Sequence, residues 1–140
     1  MKLSPVGILA DVFWYEIRNH AMYVELAAFV VMPNHVHGIL ILDKPESIDS
    51  VEHVETGFAL SLHRFRNQGK NTISSIVGSY KSAITKHCNR LGLPGDDANV
   101  FAWQTRFHDQ IIRNDAEYQR INDYIESNPK NWEKDKFWVL

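Results

Sequence analysis

The sequence predicts a single α+β domain, with helices packed against one face of an antiparallel sheet. Three observations carry that expectation. Two apolar runs, Tyr23–Met32 and His35–Leu42, are separated only by Pro33-Asn34, the pattern of a strand–turn–strand hairpin. Stretches with apolar residues at helical spacing flank the hairpin, so the order along the chain is α-β-β-loop-α-β-α. At 140 residues, with 44% hydrophobic and 23% charged residues, the chain is long enough for one core and too apolar for a disordered tail.

The first helix is expected over Pro5–His20. Ser4 is its N-cap, Pro5 suits the first helical position, and Ile8, Val12, Phe13 and Ile17 recur at helical spacing. In the second strand of the hairpin, Val36, Gly38 and Leu40 point one way and His35, His37, Ile39 and Ile41 the other. Asp43–Ile73 has no periodicity and reads as a long loop of the functional or mobile kind. A helix over Ile73–Leu91 follows, opened by Asn71 or Thr72 and stopped by Gly92 and Pro94, with Ile73, Ile76, Val77, Tyr80 and Ile84 as its apolar stripe. Phe107–Arg113 is expected as a further strand. Asn114 and Glu117 form a capping-box pattern that opens a last helix, closed by Asn128-Pro129. Trp132, Phe137 and Trp138 are expected to fold back onto the core.

Several classes are excluded at this level. The longest apolar run, Leu26–Met32, falls far short of the ~20 residues that a membrane span needs. The N-terminus lacks the basic start, apolar stretch and small-residue cleavage site of a secretory signal, and Cys88 alone builds no disulfide framework. A cytoplasmic protein is expected.

A net charge of −2 argues mildly against nucleic acid, but the average conceals a division. Thr56–Gly95 contains no Asp or Glu and carries Arg64, Arg66, Lys70, Lys81, Lys86 and Arg90, so this window is +6 and the rest of the chain −8. A polyanion would meet one favourable region; a solvated basic helix face is the simpler alternative.

His35 and His37, two apart on a strand, leave the same face roughly 7 Å apart at the backbone, a spacing that suits two imidazoles on one metal ion. Packing histidines show the same pattern. Tyr124 and Asn128, at i and i+4, share one helical face and offer a phenol nucleophile and an amide oxygen, although core packing and a helix stop would explain them equally well.

Taken together the motifs resemble a known family. Met32-Pro33-Asn34-His35-Val36-His37-Gly38, Trp103-Gln104 with Phe107, Ile112-Arg113-Asn114, and Tyr124-Ile125-Glu126-Ser127-Asn128-Pro129 are similar to the single-tyrosine HUH transposases, in particular the REP-associated tyrosine transposases. Ser74–Ala83 also matches their central helix, and the likeness runs from Leu3 to Pro129. The resemblance implies a ferredoxin-like HUH nuclease fold that cuts and rejoins single-stranded DNA, often beside a hairpin. It makes His35, His37 and Asn128 ligands of Mg²⁺ or Mn²⁺, and Tyr124 the nucleophile that forms a 5′-phosphotyrosine. On that reading Arg64, Arg66, Lys70, Lys81 and Lys86, with Arg106 and Arg113 as weaker candidates, would contact DNA phosphates. Phe65 and Tyr80 are available to stack on bases, with core packing as their simpler role.

One departure stands out. The family has a β-strand before the first helix, in the middle of the sheet, whereas here only Met1–Leu3 precede Ser4. Either the true start lies upstream or the strand is lost, and a lost strand would leave the sheet gapped, rebuilt with different neighbours, or completed by a second copy of the chain as a homodimer. Three alternatives to the transposase reading remain: a catalytically inactive single-stranded nucleic-acid binder derived from a transposase, a small-molecule metallohydrolase using His35 and His37, and a plain structural domain.

Overall fold

The computed structural model describes residues 2–43, 71–93 and 101–134. These form an α+β arrangement of helix α1 (Pro5–His20), strands β1 (Val24–Val31) and β2 (Val36–Leu42), and helices α2 (Ile73–Leu91) and α3 (Asp115–Ser127), with short 3₁₀ turns at Asn128–Lys130 and Trp132–Lys134. The hairpin, the three helices and the turn at Trp132 fall where the sequence places them. Phe137, Trp138 and Pro94 lie outside the described residues.

Helix α1 starts as its residues dictate: the Ser4 hydroxyl accepts the Gly7 N–H at 3.1 Å and Pro5 follows the cap. Its buried face differs from the expected one. Gly7, Ala10, Trp14 and Ile17 point inward, while Ile8 and Val12 are exposed. Size explains the rotation. Gly7 lets the helix backbone approach Val31 of β1, and the large Trp14 ring then buries more area than the aliphatic stripe would.

β1 and β2 pair antiparallel from Val24↔Leu42 to Val31↔Val36. Leu26 pairs with Leu40 and Phe29 with Gly38, so β1 carries one extra residue, a bulge that resets which side chains face which way. The pairs Phe29↔Gly38 and Val30↔His37 then alternate across the sheet. On the first face, Trp14 stacks on Phe29 with ring centroids 4.2 Å apart, and α2 packs against α1 beyond it, with Ile76, Tyr80, Ile84 and Cys88 buried. The Tyr80 hydroxyl donates to the Ala10 carbonyl at 2.8 Å, so Tyr80 is a core residue and not a stacking platform for bases. Thr72 and Ser75 form a reciprocal capping box, and Gly92 ends α2 in the left-handed region at φ 63°.

The second face of the hairpin is covered by α3, whose Tyr124 ring lies against His37. Helices therefore flank the sheet on both faces, which corrects the expectation of one. The reason lies in β2 itself: Val36 and Leu40 join the α1 core while Ile39 is buried from the opposite side, so both faces need cover.

The expected strand Phe107–Arg113 is also corrected. Residues 101–114 adopt neither helix nor strand, and Ile111 is 75% exposed. A strand exists only through a ladder partner, and the sole ladder among the described residues joins β1 to β2. The start of α3 differs in detail as well. Asn114 accepts the Glu117 N–H at 2.8 Å, but the Glu117 carboxylate reaches past the cap to the Arg113 N–H, at 3.1 Å, and to Gln110.

Candidate functional site

The site is built on the hairpin turn. Met32 donates its N–H to the His35 carbonyl at 2.8 Å, closing a four-residue turn whose two central positions are Pro33 and Asn34. Proline presets the turn, and asparagine tolerates its backbone geometry. His35 stands where the turn meets β2 and His37 one pleat further along. Their Nε2 atoms are 2.9 Å apart with the rings nearly perpendicular, at 80°. The shared face expected from the alternation is present.

Three further side chains frame the pair. Asn34 Oδ1 lies 2.6 Å from His35 Nδ1. The Trp132 ring, carried by the second 3₁₀ turn, is 5.8 Å from the His35 ring. Tyr124, on α3, places its ring 5.4 Å from that of His37 at 72°, and is 44% exposed. The chain thus brings residues some ninety positions apart in sequence onto one face of the hairpin.

Asn128 sits one helical turn after Tyr124. It keeps helical angles, φ −56° and ψ −43°, although the following proline disfavours them, and so the chain passes straight into the first 3₁₀ turn. Its side chain is 3% exposed, and its Nδ2 has no hydrogen-bond partner among the described residues. A buried amide N–H left without an acceptor costs about 1–3 kcal/mol.

The donor set fits a divalent ion. Two nitrogens each ~2.1 Å from one ion at a right angle are separated by about 3 Å, close to the observed Nε2–Nε2 distance. No group of three or more His, Cys, Asp or Glu gathers among the described residues.

The expected phosphate contacts are scattered. Arg64, Arg66 and Lys70, with Phe65, lie outside the described residues. Lys81 is engaged within the fold: its ammonium donates to the Gln104 carbonyl at 2.8 Å and lies 5.8 Å from the Trp103 ring, whose N–H donates back to the Lys81 carbonyl. Lys86 is exposed on α2, which packs on α1 across the sheet from the histidines. Arg106 and Arg113 are exposed on the irregular segment before α3. Sequence reasoning missed Asn34, taken only for a turn residue, and Trp132, taken for core. The signal for Asn34 was its place next to a candidate ligand; Trp132 carried none.

No helix among the described residues is long and apolar enough to cross a membrane. No family model matches the chain, and no solved structure matches it. An uncharacterized protein of Haemophilus influenzae (strain Rd) is 30% identical over 145 aligned positions, which cover 99% of this chain and 73% of the relative. Identity of that extent, along almost the whole chain, places the two proteins together: this chain belongs to the family of the H. influenzae protein.

Proposed function

We propose that the chain is a metal-dependent DNA transposase of the single-tyrosine HUH type, in the REP-associated branch, cutting and rejoining single-stranded or hairpin DNA. The observation that carries this reading is the gathering of His35, His37 and Tyr124 on one face of the hairpin, with Asn128 one turn beyond the tyrosine. On this reading the domain is a ferredoxin-like HUH fold, and a homodimer is its expected assembly.

His35, His37 and Asn128 would hold Mg²⁺ or Mn²⁺, which supplies Lewis-acid polarisation of a phosphate when bound. The chain's own residues do the rest. The Tyr124 oxygen attacks phosphorus in line with the departing 3′-oxygen; the O–P bond to tyrosine forms as the P–O3′ bond breaks. The phenol gives up its proton to solvent and the 3′-oxygen takes one up. The phosphodiester energy stays in the phosphotyrosine, so a 3′-hydroxyl can reverse the step without ATP. Partial exposure of Tyr124 leaves its hydroxyl within reach of a strand, and the half-buried imidazoles exclude bulk water from one side of it.

The test is incubation with labelled single-stranded hairpin DNA and Mn²⁺. A covalent protein–DNA product is expected, and Tyr124→Phe must abolish it; a product indifferent to that substitution sinks the reading. The lack of a strand over residues 107–113 favours one second reading, a catalytically inactive single-stranded nucleic-acid binder, whose affinity would fall steeply with salt and ignore both chelators and Tyr124.

A further inference from the structure

We infer that Asn34 is a positioning residue that locks His35 in its Nδ1–H tautomer and so turns the lone pair of His35 Nε2 toward His37. The contact of Asn34 Oδ1 with His35 Nδ1 is short, 2.6 Å, and a carbonyl oxygen can only accept. The proton therefore sits on Nδ1. A neutral imidazole carries one N–H, so His35 Nε2 is left as an acceptor, and in the metal-free chain the facing His37 Nε2, at 2.9 Å, donates to it with a proton that a bound ion would displace.

The hairpin makes this hold a built one. The turn closed from Met32 to His35 keeps residues 34 and 35 in fixed relation, and the Trp132 ring beside His35 restricts rotation of the imidazole. The opposite orientation of the Asn34 amide would present an NH₂ to Nδ1 and drive the proton onto Nε2, the wrong tautomer for a ligand. The consequence for ion binding rests on the ion site proposed above; the tautomer itself does not.

The experiment uses the full chain with ¹⁵N-labelled histidine, free of metal and at mildly alkaline pH, and the His35 signals are assigned by their loss in His35→Gln. Long-range ¹⁵N–¹H correlations are expected to show Nδ1 protonated at His35. Asn34→Ala shifts His35 toward the Nε2–H form, whereas Asn34→Asp, whose carboxylate accepts the same proton, keeps it on Nδ1. An Nε2–H signal in the parent, or no shift in Asn34→Ala, overturns the inference. Mn²⁺ titration followed by electron paramagnetic resonance gives the second readout: affinity falls about 10–100-fold in Asn34→Ala and is retained in Asn34→Asp. Equal affinity in all three removes the positioning role while leaving the ion site standing. If the parent itself takes up no Mn²⁺, the ion reading fails, and the tautomer result still decides what Asn34 does.

Discussion

The indole of Trp14 lies over the backbone of Gly38, so closely that a methyl group on Gly38 would overlap its Cη2 atom and come within 2.8 Å of Cζ2. Trp14 cannot retreat, because Phe29 stacks against it and the Tyr80 ring meets it edge-on. The glycine next to His37 thus joins the α1 core on one face of the strand to the histidine pair on the other.

Gly38→Ala is therefore expected to destabilise the fold by about 1–3 kcal/mol, the cost of forcing extra volume into a packed site. The urea unfolding midpoint checks this. A midpoint equal to the parent's would mean that the indole has room to move.

Removal of either imidazole should abolish Mn²⁺ binding, and Tyr124→Phe should leave it intact. Tyr124 is partly exposed and touches His37 through its ring, which phenylalanine preserves. Calorimetric titration of His35→Ala, His37→Ala and Tyr124→Phe separates the holding of the ion from the chemistry of the strand.

Lys81→Met is expected to act on stability more than on DNA. It loses a charged hydrogen bond to the Gln104 carbonyl and a contact with the Trp103 ring, roughly 1–2 kcal/mol at this partly exposed position. Lys86→Met, exposed on the same helix, should leave the unfolding midpoint unchanged. Paired urea and salt-titration curves read the difference.

Alkaline pH should weaken the fold through Tyr80 and Cys88. Burial, with the Asp11 carboxylate adding to it, pushes the Tyr80 hydroxyl well above its ordinary 10, and burial also raises the Cys88 thiol from 9. Both groups stay protonated in the folded chain after their unfolded counterparts ionise, so the unfolded state binds fewer protons and stability falls as pH rises. Their contribution is fully present below pH 9 and is lost progressively above it. Denaturant midpoints measured across this range should fall, and less steeply in Tyr80→Phe above pH 10.

Local chemistry in the sequence determined the elements whose residues need no distant partner. Ser4-Pro5, Thr72 with Gly92, and Asn114 set three helices close to where they stand, because caps and breakers act within one turn. Pro33-Asn34 set the hairpin, and strict alternation along β2 put His35 and His37 together. Tertiary structure decided what depends on an opposing surface. Which face of α1 is buried followed from Trp14 meeting Gly38, not from the spacing of Ile8 and Val12. Residues 107–113 have the composition of a strand and no ladder to join, since a strand's hydrogen bonds belong to its neighbour. The placing of Tyr124 against His37, of Trp132 against His35 and of Asn34 on the His35 ring likewise required the folded chain, because only packing brings the end of α3 back onto the hairpin turn.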